Sequence, residues 1–342
     1  MFLFGRTLEE LQQLCADNGL PKFAAKQICD WLYKKRVHSI DEMTNLSLKA
    51  RAQLSENHSV GRTDYANCQQ SVDGTKKYLF PVDDGKFVET VYIPDKERGT
   101  VCVSSQVGCK MGCKFCVTGK QGFHGHLSVA DILNQIVGIN EAEQITNIVF
   151  MGMGEPFDNY DNVLKVTEIL TASWGFAMSP RRITVSTVGV LPRIRDFVEQ
   201  SQCHLAISLH SPYGDERATL MPIQNAYAHS EIVRMLRKYD WSGQRRLSFE
   251  YIMFKGLNDD LLHAKKLSQL LHGLQCRVNL IRFHASPGTP FASPDEKTME
   301  TFRNSLNDNG IVCTIRASRG EDIMAACGLL AGKGVWSLEF GI

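Results

Sequence analysis

Three cysteines set the chemistry open to this chain. In Gly108-Cys-Lys-Met-Gly-Cys-Lys-Phe-Cys-Val-Thr-Gly119, Cys109, Cys113 and Cys116 lie on one glycine-punctuated loop. Such a loop can turn three sulfurs inward around a cuboidal [4Fe–4S] cluster, with each thiolate taking one iron. The fourth iron then has no protein ligand. It is free to chelate the amino and carboxylate groups of S-adenosylmethionine (SAM) and pass one electron into the sulfonium, which would release methionine and a 5′-deoxyadenosyl radical. Electron-carrier clusters use a run of four cysteines, and structural zinc usually takes four closed ligands. Neither a fourth local cysteine nor a His-x₃-His pair stands beside this loop. Zinc and incidental buried thiols are the alternatives that the spacing leaves open.

The elements that must position this loop follow from patterning. From about residue 99, strand-like runs at Val101–Ser104, Asn147–Met151, Arg182–Ser186, His204–Ser208, Ser248–Met253, Arg277–Ile281 and Val312–Ile315 alternate with longer stretches that suit helices, among them Ser128–Asn140, Asn162–Ser173 and Leu261–Leu274. Repeated βα units predict an α/β fold with a parallel, barrel-like sheet whose ligands gather at the carboxyl ends of the strands. Upstream, Tyr78-Leu-Phe-Pro and the run from Lys86 to Ile93 flank the turn residues Asp83-Asp84-Gly85 and predict a hairpin. Residues 7 to about 58 read as short helices, with capping boxes at Thr7-x-x-Glu10 and Ser39-x-x-Glu42 and with Phe23, Ile28, Trp31 and Leu32 at helical spacing. The organisation expected is therefore a helical accessory domain at 1–60, a β-hairpin linker region at 61–98 and a catalytic barrel at 99–342. Pro287-Gly-Thr-Pro290 is the clearest late loop.

Composition narrows the class without naming a partner. Lys and Arg (38) nearly balance Asp and Glu (37), so net charge announces no nucleic acid. The apolar start is too short for a signal peptide or a membrane span, which gives a cytoplasmic expectation. Eleven cysteines in a reducing compartment point to burial, metal ligation or catalysis rather than disulfides. Lys22, Lys26, Lys34, Lys35 and Arg36 beside Trp31 and Tyr33 could grip RNA or form a solvated face, and Arg181-Arg182, Arg245-Arg246, Arg316 and Arg319 carry the same two readings.

Four flanking segments make the pattern more specific: Cys102-Val-Ser-Ser-Gln-Val-Gly-Cys109, Phe150-Met-Gly-Met-Gly-Glu-Pro156, Ser208-Leu-His-Ser-Pro and Arg319-Gly-Glu-Asp-Ile-Met-Ala-Ala-Cys-Gly328. Together they resemble the RlmN/Cfr family of radical SAM RNA methyltransferases, over about residues 7 to 332. The resemblance implies an incomplete (βα)6-type barrel with a small N-terminal helical accessory domain. It also implies one [4Fe–4S] cluster on Cys109, Cys113 and Cys116, and two SAM per turnover. In the RlmN branch the product is C2-methyladenosine, at the peptidyl-transferase centre of 23S rRNA and at position 37 of some tRNAs. The Cfr branch methylates C8 of the same rRNA nucleotide. Pro156 resembles RlmN, since Cfr typically has Ala there.

An adenine C2 or C8 carbon is electrophilic, so direct attack on the SAM methyl group is closed to it. By resemblance, Cys327 carries the methyl group from one SAM, the radical from a second SAM activates it, and Cys102 resolves the RNA adduct as a disulfide forms with Cys327. Without the family, each thiol reads as an ordinary packed cysteine. Glu89 matches the family's proposed proton acceptor, against a plain strand glutamate. Gly154, Glu155, Ser186, Ser208, Leu209 and His210 match SAM contacts. His284 stands where the family commonly has Asn, and can still donate one hydrogen bond. The partners implied are 23S rRNA, tRNA and an electron donor such as flavodoxin with flavodoxin reductase, acting on a monomer with no membrane attachment. An iron–sulfur electron carrier and a noncatalytic RNA-binding protein are the readings from other classes.

Overall fold

The structure, a computed structural model, describes residues 1–82, 85–286 and 288–331. Asp83 and Asp84 of the expected hairpin turn, Pro287 of the late loop and residues 332–342 of the expected barrel lie outside the described residues.

The chain opens with helices α1 (Leu8–Asp17), α2 (Ala24–Cys29) and α3 (Leu48–Asn57). Thr7 caps α1 through the expected box, in which Glu10 N–H donates to the Thr7 hydroxyl and Thr7 N–H to the Glu10 carboxylate; the Ser39–Glu42 box forms in the same way. Each satisfies donors that the first turn of a helix otherwise leaves open. The turn after α2 widens to π geometry over Asp30–Lys35, and Tyr33 enters the core between Phe4, Trp174 and Phe176. Phe23 departs from its expected core place and is 65 % exposed. It is the N-cap of α2, where helical spacing alone does not decide which face is covered.

Strands β1 (Asn67–Gln70), β2 (Lys76–Val82), β3 (Lys86–Asp95) and β4 (Arg98–Cys102) pair antiparallel in sequence. A separate hairpin, β5 (Gln106–Cys109) with β6 (Gly122–His126), brackets the cysteine loop and the short helix α4 (Val117–Lys120). Then come α5 (Val129–Val137), β7 (Ile145–Phe150), α6 (Tyr160–Thr171), β8 (Ile183–Thr187), α7 (Leu191–Gln200) and β9 (His204–Ser208). The chain continues through α8 (Gly214–Leu220), α9 (His229–Leu236), β10 (Leu247–Met253), α10 (Leu261–Leu271), β11 (Arg277–Arg282), α11 (Glu296–Asp308) and β12 (Val312–Ile315).

Among the described residues one ten-stranded sheet runs in the order β1-β2-β3-β4-β7-β8-β9-β10-β11-β12, parallel from β4 onward. The incomplete βα barrel expected is thus present, and the region before it adds three antiparallel strands to the same sheet. Period-two alternation sends Val101, Ile148, Val185, Leu205, Phe249 and Leu280 outward beneath the helices, where all are fully or almost fully buried. Each such side chain contributes about 1.5–3 kcal/mol of burial.

β12 does not pair with β1 to close the ring. The segment after β12 crosses the gap instead. At one end Asp73 accepts from Gly320 N–H at 2.9 Å and Asp322 accepts from the Ser71 hydroxyl at 2.6 Å. At the other, the Thr118 hydroxyl donates to the Leu330 carbonyl at 2.7 Å, and Val117 N–H donates to the Gly328 carbonyl at 2.8 Å. Cys327 sits on this strap.

Candidate active site

The cysteine loop is shaped by its glycines. Gly108 has φ +71°, and a Cβ there would stand 1.9 Å from the Gly122 carbonyl oxygen, so only glycine fits the bulge that ends β5. Cys109 ends β5, Cys113 lies in the loop and Cys116 precedes α4. Phe115, Leu220, Met221, Ile252 and Phe254 form an apolar shell around Cys113. Burial raises all three thiols, with Cys109 pushed up to about 12 and the neighbouring sulfurs adding to the shift at Cys113. Three adjacent thiols that resist ionising alone are suited to a cationic centre, which stabilises the thiolate it binds.

These sulfurs line a cavity at the carboxyl ends of the parallel strands, together with Cys102, Gly154, Glu155, Ser186, Ser208, His210 and Cys327. Among the described residues no three His, Cys, Asp or Glu side chains close on a single ion-sized point. Soft donors spread along a cavity wall suit a multi-iron cluster better than one zinc.

Glu155 follows β7 and is fully enclosed. Its carboxylate accepts from Phe157 N–H and Val188 N–H, each at 2.9 Å, and burial outweighs these bonds and that to Thr187, raising it to about 7. Gly154 before it has φ +96°, and a Cβ there would stand 2.5 Å from the Gln106 side chain. His210 holds left-handed backbone at φ +60°, and its Nδ1 accepts from Ile252 N–H at 2.9 Å. Burial and then Arg217 hold that ring near 3, so it is neutral. Leu209 is fully buried and contributes backbone, its N–H donating to the Glu250 carbonyl at 3.0 Å.

Cys102 ends β4 and Cys327 rides on the strap; both are free thiols. Burial pushes Cys102 up to about 12, with the nearby Cys327 sulfur adding to it. Cys327 is walled in by protein yet open to the cavity; burial raises it while Arg316 opposes.

Three expected site residues, Leu209, Glu89 and His284, do not line this cavity. Glu89 is buried on β3 outside the lining, 3.5 Å from the Lys77 ammonium and accepting from Ala331 N–H at 2.7 Å. His284 lines a different recess, beside Ser318 at 3.1 Å and Glu321 at 3.6 Å.

Two residues that the sequence did not single out organise the site. Arg217 on α8 is fully buried, its guanidinium donating to the carbonyls of Val188, Ser208 and Leu209 and to the Gln224 amide oxygen at 2.6–3.1 Å. It ties together the ends of β8 and β9. Glu250 on β10 also lines the cavity, with Oε1 accepting from Asn279 and Ser248 and Oε2 3.6 Å from Arg316. A fully buried arginine is the exception among its kind, and no local pattern marks it.

An open three-thiol loop on an incomplete βα barrel, with a buried glutamate and neutral polar groups at the strand ends, defines a radical SAM enzyme. The Radical SAM superfamily pattern matches residues 103–267, and that of the ribosomal RNA large subunit methyltransferase N-terminal domain matches residues 1–60. A probable dual-specificity RNA methyltransferase RlmN from Phocaeicola vulgatus is 58% identical over 329 residues, covering 96% of this chain and 94% of its own. A dual-specificity RNA methyltransferase RlmN from Syntrophus aciditrophicus is 43% identical, covering 96% and 95%. The crystal structure of a radical SAM methyltransferase from Sphaerobacter thermophilus superposes with a TM-score of 0.91 at 40% identity, over 97% of this chain and 100% of that one. The chain belongs to the RlmN family of radical SAM methyltransferases, and its cofactors are a [4Fe–4S] cluster and SAM.

Proposed function

We propose that this enzyme methylates C2 of an adenosine in 23S rRNA at the peptidyl-transferase centre, and adenosine 37 of some tRNAs, through a methylated Cys327. The carrying observation is that Cys327 and Cys102 open onto the same cavity as the three cluster thiols. When bound, the cluster and SAM supply one-electron bond cleavage and the methyl group.

The residues then divide the work. Cys109, Cys113 and Cys116 hold three irons. Gly154 and Glu155 take the SAM amino group, while Ser186, Ser208 and the neutral His210 hydrogen-bond its ribose and carboxylate. Cys327 accepts the methyl group and presents it to the base. Cys102 would then form a disulfide with Cys327 as the S–C bond to the transferred carbon breaks, the two electrons that the thiols lose being balanced by reductive cleavage of SAM to methionine and 5′-deoxyadenosine, and a thiol reductant restores both. Glu89 has a narrower role: it anchors the strap through Ala331, and acts as proton acceptor only once that hydrogen bond opens. His284 supports the strap through Ser318 rather than touching SAM. A flavodoxin with its reductase feeds electrons to a monomer. Among the described residues no helix is long and apolar enough to cross a membrane.

Pro156, which also lines the cavity, favours C2 over C8. Nucleoside mass analysis of rRNA and tRNA from cells with and without the gene tests this: 2-methyladenosine should vanish with the gene. Loss of 8-methyladenosine alone would overturn the C2 assignment.

A further inference from the structure

The centre of a βα barrel is ordinarily filled by layers of branched apolar side chains. Here the amino-terminal half of the barrel is lined by Thr100, Thr184, His204, Ser248, Asn279 and Thr314, with no aliphatic residue among them. The apolar residues of the same strands face the helices instead. The interior is therefore an open polar lumen. Its upper end is formed by Ile93, Ile281, Ala325, Ala326 and Cys327, which also border the cofactor cavity. The two spaces meet at the carrier thiol.

The lower end of the lumen is basic. Arg246 and Arg277 line both the lumen and an outer recess that Arg181 also borders. All three are exposed, and none has an ion pair or side-chain hydrogen bond among the described residues. Burial and then Arg246, Arg245, Arg181 and Arg277 hold His204 down to about 4, a measure of how much positive charge converges there. Arg245 is otherwise engaged, donating to the Val198 and Phe197 carbonyls at the end of α7. The N-terminal helical region flanks the same end: Arg36 pairs with Glu143 at 2.6 Å, just before β7, and Tyr33 packs on Trp174 and Phe176, in the connection leading to β8.

We infer that the RNA docks at the amino-terminal mouth of the barrel, with backbone phosphates on Arg181, Arg246 and Arg277, and that the target base rises through the polar lumen to meet Cys327 from the side opposite SAM. This rests on the RNA-methyltransferase reading above. Cluster and SAM occupy the carboxyl-end cavity, so a base must reach Cys327 from another side, and the lumen opens on it. Four strand steps from Arg277 to Ile281 give a depth of about 13 Å. That depth calls for an extruded nucleotide rather than a stacked one. Unpaired arginines at the rim supply the phosphate contacts that dominate RNA affinity.

The test uses full-length enzyme with its cluster and an RNA hairpin that the wild type methylates. In the Arg246→Gln, Arg277→Gln double variant, the Kd for RNA should rise by about tenfold or more, and the slope of log Kd against log salt should fall by about 1.4–1.8, the share of two phosphate contacts. SAM-dependent methylation of Cys327, read from intact-protein mass without RNA, reports a folded cofactor site in the same sample. A photo-crosslinker at Gln244, on the outer recess, should capture the RNA, while one at Lys22 should capture less. Unchanged Kd and salt slope, or capture from Lys22 alone, would overturn this route while leaving the functional reading in place. A wild type that methylates Cys327 but neither binds nor methylates any RNA would overturn both.

Discussion

Glu155 offers the sharpest quantitative test of the cofactor pocket. Moving its carboxyl from 4.5 to about 7 penalises the charged form by about 3 kcal/mol. Because the folded value lies above the unfolded one, the native state holds the extra proton between them. The contribution to stability is greatest below about 4.5, declines across the window up to about 7, and is flat above it. SAM binding should show the opposite sign. An ionised Glu155 can accept from the SAM amino group, and the ionised fraction is about one-tenth at pH 6 and about nine-tenths at pH 8. The Kd for SAM should therefore be about tenfold weaker at pH 6 than at pH 8. Calorimetric titration of the cluster-loaded enzyme at both values measures it, with Glu155→Gln as the comparison, which should bind SAM more weakly and lose the tenfold ratio. An equal Kd at the two pH values, or a ratio that survives in Glu155→Gln, would refute the assignment.

Cys327→Ala should abolish methylation of both protein and RNA, whereas Cys102→Ala should leave Cys327 methylated and accumulate a covalent RNA adduct, seen as a slow band on a denaturing gel. Arg217→Ala removes a buried charge and orphans three carbonyls, so it should cost about 3 kcal/mol or more in chemical denaturation and raise the KM for SAM. Asp73 is held down at about 2, since bonds from Gly320 N–H and Thr75 outweigh its burial. Asp73→Ala should slow RNA methylation severalfold, measured in single turnover, while sparing SAM affinity.

What could be read from the sequence was local. Cysteine spacing, the two capping boxes and the strand runs depend on neighbours a few residues away; the expected run His204–Ser208 coincides with β9, and Val312–Ile315 with β12. What could not be read was which partner each charge would meet. Arg245 and Arg246 are adjacent, yet one is spent on helix carbonyls and the other lines the lumen mouth with no side-chain partner among the described residues. Trp31 and Tyr33 read as possible stacking rings, but Tyr33 is buried and Trp31 is covered by Lys35 at 3.4 Å. Glu89 and His284 are singled out by motif position, and their contacts with Lys77, Ala331 and Ser318 come from segments that no local pattern links to them.

The strap that closes the barrel bears on how one sulfur can serve several partners. On the proposed function, Cys327 faces a methyl donor, a radical, a base and a second thiol within one turnover. A paired strand in that place would lock the side chain to one side of the sheet through its ladder of hydrogen bonds. A strap has no register. Gly320, Met324 and Gly328 all hold positive φ, with Cys327 between the last two, while the hydrogen bonds that fasten it fall at Gly320 and Asp322 on one side of Cys327 and at Gly328 and Leu330 on the other. The gap in the barrel thus frees Cys327 from the periodicity of the sheet: it lies off the ladder, beside a wall of strands paired in fixed register.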